Sequence, residues 1–204
     1  MRAFRVLLDA SRVAYGARMS MRERRMLAEV VADVHALLEQ DAPDRADDAG
    51  PAWEVADVQV PDDPAVARLL PDASHGDPEI AAEFRRLTQE DLRATKLAGL
   101  HTLTSCLETT PEGFSGDDLV VLAEDAPRVA AALTDVRLVL ADRLGLHTDD
   151  DAEELHDELT QPMLRRRAGR SRRGLGDLYE ALTWLQESLV VAMTSALPDT
   201  AGTP

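Results

Sequence analysis

The chain of 204 residues has a single cysteine, Cys106. No disulfide can form within it, which excludes a disulfide-stapled secreted domain. Aromatic residues make up only 3% of the sequence, against 45% hydrophobic residues in all. The core must therefore be built from Leu, Val and Ala, a composition that favours packed helices over a β-sandwich. No stretch approaches 18 apolar residues, so no membrane-spanning helix is expected. The first eight residues have a basic start without an apolar run of signal-peptide length, and the expected location is the cytoplasm. Lysine is almost absent, Lys96 standing alone among 22 basic residues. These face 38 acidic residues, giving a formal net charge of −16. Such a chain is repelled by nucleic acid and anionic membranes unless a local patch reverses the field. No Ser/His/Asp order, phosphate-cradling glycine loop or zinc-type cysteine set occurs, so no catalytic motif, cofactor or metal site is expected.

What is present reads as an α+β chain, mainly helical: a helix bundle with a small N-terminal antiparallel sheet. Residues 3–8 and 12–19 read as two strands of a hairpin, with Val13, Tyr15 and Ala17 alternating against Arg12 and Arg18. A hairpin alone is marginal, and the apolar run 119–122 is the expected third strand. Ser20 and Glu23 fit a capping box. Behind it Met26, Leu27, Val30, Val31, Val34, Leu37 and Leu38 form a helical stripe that ends near Gln40. Residues 41–62, rich in Pro and Asp, read as an acidic loop that docks through Trp53, Val55 and Val58. Asp63-Pro64 and Asp77-Pro78 each start a helix, and Pro71 ends the first. In the longer second helix Ile80, Phe84 and Leu87 point one way, and Leu97, Leu100, Leu103 and Leu107 are expected to resume that apolar face. Asp125 and Pro127 start a further helix with the stripe Val129, Leu133, Val136, Leu140 and Leu144, and Gly145 is its expected left-handed terminator. Residues 151–164 read as an acidic helix. Leu175, Leu178, Leu182, Leu185, Leu189 and Met193 form a last amphipathic helix, with Trp184 off its stripe. Residues 1–197 make one domain and 198–204 a disordered tail.

The sharpest chemical feature is Arg165, Arg166, Arg167, Arg170, Arg172 and Arg173, six arginines in nine residues of an acidic protein. Gly169, Ser171 and Gly174 suggest a flexible loop over 165–174. Such a loop either contacts nucleic acid or an acidic protein surface, or folds back on the chain's own carboxylates. Aromatic residues do not interleave with it, which disfavours a single-strand stacking platform. His147, Glu153 and His156 offer metal ligands, but one Glu-x-x-His spacing falls short of a di-metal bundle site, and a plain acidic helix start is the simpler reading. Cys106, beside Leu103 and Leu107, is either a small core residue or a redox thiol.

Three segments together resemble the actinobacterial AosR family. They are Arg68-Leu-Leu-Pro-Asp-Ala73 leading to Glu83-Phe-Arg-Arg-Leu-Thr88, then Ala132-Leu-Thr-Asp-Val-Arg-Leu-Val-Leu-Ala-Asp-Arg-Leu-Gly145, then Leu182-Thr-Trp-Leu-Gln-Glu-Ser-Leu189. The resemblance implies a transcription regulator of the oxidative-stress response, non-enzymatic, working through a protein partner such as a sigma factor or RNA polymerase component. With one cysteine, any redox response would have to run through an intermolecular or mixed disulfide at Cys106. The charges within these motifs, Arg68, Glu83, Arg85, Asp135, Arg137 and Arg143, either form a buried ion-pair network that sets helix register or line the partner site. Self-association into a homodimer is left open, and no membrane partner is implied. The competing classes are a metal-dependent hydrolase using His147, His156 and nearby carboxylates, and a direct nucleic-acid binder through the Arg-rich segment.

Overall fold

The computed structural model describes residues 1–9, 12–42, 60–72, 76–114, 118–167 and 169–196. Residues 43–59, with the expected docking contacts of Trp53, Val55 and Val58, lie outside that set, as does the tail 198–204. The described residues form an α+β fold dominated by helices: β1 (Arg5–Asp9), β2 (Arg12–Arg18), α1 (Met21–Gln40), α2 (Pro64–Leu69), α3 (Pro78–Glu108), β3 (Asp118–Leu122), α4 (Ala126–Leu144), α5 (Asp149–Thr160), α6 (Pro162–Arg167) and α7 (Arg170–Ser195). The sheet is antiparallel in the order β1-β2-β3. Tyr15 and Ala17 of central β2 join Leu119 and Val121 of β3 in the helical core.

Local chemistry sets most helix starts. Ser20 and Glu23 form the expected capping box of α1. Asp63 accepts from Ala65 N at 2.8 Å, and Asp77 accepts from the amides of Glu79 and Ile80. Asp125 occupies the N-cap of α4 but makes no side-chain cap bond; it lies 3.6 Å from Arg128 instead. Gly145 ends α4 at φ 75°, and Leu146 N reaches back to the Ala141 carbonyl at 2.8 Å. The acidic helix is shorter than residues 151–164 suggested. Pro162 bars Gln161 from helical geometry (ψ 118°), so α5 stops at Thr160 and α6 begins anew.

Packing centres on α4, which touches α1, α2, α3 and α7. In α1 the buried apolar residues are Leu27, Val31, Val34 and Leu38, while Met26 is exposed. A second small cluster, Ala141, Leu144, Leu146, Leu155 and Leu159, lies under α5. Close approach of α5 to α7 depends on Gly176, where an added Cβ would stand 3.0 Å from Leu155 Cδ1.

Asp63 joins two roles, because its carboxylate caps α2 and also holds Arg143 Nη2 at 2.6 Å. The Arg143 bond comes first among the causes that keep its carboxyl below the ordinary 3.8, ahead of the Ala65 amide. Stability from this group is therefore fully present above pH 3.8 and is lost as pH falls below it. Asp63→Ala should cost about 1 kcal/mol through the lost cap. Asp63→Asn keeps a capping acceptor and loses only the half-exposed ion pair, so it should cost a few tenths. Urea unfolding at pH 7 checks this; equal losses in both variants would show that the cap contributes little.

Candidate functional site

Of the expected loop over 165–174, residues 165–167 are the end of α6 and residues 170–174 the start of α7, with Gly169 at the N-cap; arginine is a good helix former. Arg165 holds both oxygens of Asp177 at 2.9 and 2.8 Å and donates to the Leu159 carbonyl at 3.0 Å. Arg172 donates Nε to Glu158 at 2.8 Å and Nη1 to the Leu144 carbonyl at 2.7 Å, tying α7 to α5 and to the last turn of α4. Arg173 donates to the Arg165 carbonyl. Arg170 is exposed without a hydrogen bond among the described residues. The side chains of Arg166 and Arg167 lie outside the described set. Three of the six arginines thus fold back on the chain itself.

The motif charges do not make one buried network. They make separate contacts, most of which join two elements. Arg68 donates to the Leu146 carbonyl at 3.0 Å and Arg85 holds Asp72 Oδ1 through two nitrogens at 2.9 and 2.7 Å. Lys96 Nζ meets Asp135 Oδ1 at 2.6 Å across α3 and α4. Burial pushes the Asp135 carboxyl up from its ordinary value, against the pull of Lys96. Arg137 donates to Gln186 at 2.7 Å and stacks over the Tyr179 ring at 5.4 Å. Glu83 is exposed and pairs only along its own helix, with Arg86.

Cys106 lines a shallow depression with Thr102, Val120 and Asp125. Burial first, then the charge of Asp125, pushes its thiol up to about 11. Alkylation by iodoacetamide at pH 7 should therefore run about 100-fold slower than for an unperturbed thiol. A rate matching free cysteine would show that the thiol is activated.

His147 donates its backbone N–H to Asp151 at 2.8 Å, while His156 Nδ1 lies 3.5 Å from Glu180. Glu153 shares a shallow depression with His156 and Asp157. Among the described residues, no group of three or more His, Cys, Asp and Glu side chains converges on a point where a metal ion could be held.

Sequence reasoning missed the inner face of α3. The apolar run Ile80, Phe84 and Leu87 does not face the core; these residues are 58%, 45% and 61% exposed. The buried face is Ala81, Gln89 and Arg93, continuing into Leu100, Leu103 and Leu107. Arg93 donates to the Leu38 carbonyl and to Asp41, both at 2.8 Å, and so supplies the cation that the last turn of α1 lacks. With Arg85 and Arg93 pinned on one side, the stripe Ile80–Phe84–Leu87 must face out. Glu79, Glu83, Arg86 and Glu90, all exposed, line one flank of it. Trp184 is likewise 42% exposed, off the buried stripe of α7. No helix among the described residues is long and apolar enough to cross a membrane.

A family model described as a domain of unknown function, DUF2017, matches residues 1–193. Neither the curated proteins nor the solved structures contain a match.

Proposed function

The chain belongs to the DUF2017 domain family over residues 1–193, and we propose that it is a non-enzymatic regulatory adaptor that binds a protein partner. The observation that carries this reading is the outward stripe Ile80, Phe84 and Leu87 on a helix of 31 residues. Three large apolar side chains at helical spacing, rimmed by charges, are the anchors of a helix that lies in a partner's groove. The flanking Glu79, Glu83 and Glu90 call for basic residues on the matching edge of that groove. The resemblance to the AosR family points to a sigma factor or RNA polymerase component as the partner and to the oxidative-stress response in the cytoplasm as the setting. The nucleic-acid reading is weaker, because Arg165, Arg172 and Arg173 are already bonded within the chain.

Binding of the purified protein to RNA polymerase core enzyme and to isolated sigma factors tests the reading. The double substitution Phe84→Ser/Leu87→Ser removes two exposed anchors and should leave the helical spectrum unchanged. It should weaken binding at least about tenfold, as loss of interface hot spots does. The reading fails if the wild-type protein binds neither component at micromolar concentration, or if the double variant binds equally well.

A further inference from the structure

Arg68, Arg137 and His147 are far apart in the sequence, yet they line one cleft of about 200 Å³. Its walls come from α2, α4, the turn between α4 and α5, the first turn of α5, and α7. Both guanidiniums are held in place by one bond each among the described residues, Arg68 to the Leu146 carbonyl and Arg137 to Gln186. Gln186 is itself fixed by Thr134 Oγ1 at 2.5 Å and the Ala130 carbonyl at 3.0 Å. Tyr179, also in the lining, places its ring under the Arg137 guanidinium, 5.4 Å from Cζ to the ring centroid. The Nη2 of Arg137 makes no hydrogen bond among the described residues, and its buried Nε has none either.

The lining holds two fixed cations and one carboxylate, the exposed Asp149. In a chain of net charge −16 this is a local reversal of sign, set in a concave site whose walls concentrate the field. The amides of His147 and Thr148 are already bonded to Asp151, so the attraction comes from the guanidiniums and not from the start of α5. Leu138 and Leu146 supply an apolar wall.

We propose that this cleft binds a small ligand carrying one oxyanion group, a carboxylate or a phosphate, with Arg68 and Arg137 on the oxyanion and Leu138 and Leu146 against its apolar part. Guanidinium N–H groups in a fixed plane suit the spaced oxygens of either group. The site is separate from the α3 stripe, so it stands or falls independently of the partner reading.

The test titrates isotopically labelled protein with inorganic phosphate and, separately, with acetate, following backbone amide shifts. Sodium chloride keeps ionic strength constant, because a chain this acidic responds to any salt. We expect saturable shifts confined to residues 146–152 and the neighbourhood of Tyr179. Response to phosphate alone assigns a phosphoryl ligand, response to acetate alone a carboxylate, and response to both an oxyanion site of either kind. Ala152→Glu places a carboxylate in the lining without touching either arginine and should weaken the response at least tenfold. If that variant does not fold, His147→Glu on the exposed turn serves the same purpose. Shifts that never saturate, that spread over the surface, or that persist in a folded blocking variant overturn the proposal, as does the absence of any response to both ions.

Discussion

Leu185→Ala should lower the stability by about 2–5 kcal/mol, the range for a fully buried leucine cut to alanine. Leu185 is 0% exposed and lies in the main core with Leu182 and Leu189 of α7 and Leu133 and Val136 of α4. These two helices are packed along their lengths. Removing the branched end leaves a cavity between them that a helical backbone cannot close without breaking its other contacts. Trp184→Ala, one residue away, should cost much less, because the indole is 42% exposed and off the stripe. Urea unfolding of both variants measures the difference. Equal losses would mean that Trp184 covers the core after all. A loss below about 1 kcal/mol for Leu185→Ala would mean that the site collapses freely.

The second large effect is expected at the Lys96–Asp135 pair. The two side chains are only 17% and 8% exposed. Lys96→Met leaves the Asp135 carboxylate buried without its counter-ion, and breaking such a pair from one side costs roughly 3 kcal/mol or more. The pH dependence has a definite sign. Burial already raises the Asp135 carboxyl above 3.8, and Lys96 is the group that opposes the rise. A carboxyl whose folded value lies above its unfolded value contributes stability below the unfolded value, and loses it as pH rises through the folded one. Lys96→Met raises the folded value further. Its deficit should be largest at neutral pH and should shrink on acidification, as Asp135 takes up a proton. The double substitution Lys96→Met/Asp135→Leu removes both charges and should recover most of the loss. A deficit independent of pH, or a double variant as unstable as the single one, would show that the pair matters for packing and not for charge.

The α3 stripe was open to a correct reading in the sequence. At 100° per residue, the step from Leu87 to Leu100 turns the helix through about 220°. Ile80, Phe84 and Leu87 therefore cannot share a face with Leu100, Leu103 and Leu107. Taking the two runs as one apolar face counts hydrophobic residues without following their phase. The face actually buried begins with Ala81 and contains Gln89 and Arg93. A pattern based on hydrophobicity passes over Arg93 because its partners come from elsewhere, Asp41 and the Leu38 carbonyl, as Asp72 does for Arg85.

The sequence by itself determined the features whose causes lie within a few residues. The Ser20–Glu23 capping box, the Asp-Pro helix starts at Asp63 and Asp77, the left-handed Gly145 and the stripes of α4 and α7 follow from local bonds and helical phase. The hairpin with its third strand followed from alternation and from the need of a two-strand sheet for a further partner. Tertiary structure decided which charges are used internally and which remain available. Arg172 finds Glu158 and Leu144, Lys96 finds Asp135, and Arg68 meets Arg137 and Tyr179 around one cleft only after α2, α4 and α7 have packed. These charged side chains carry no local signal of their partners, since the bonds that fix them join different elements, 14 to 78 residues apart in sequence and a few ångströms apart in space.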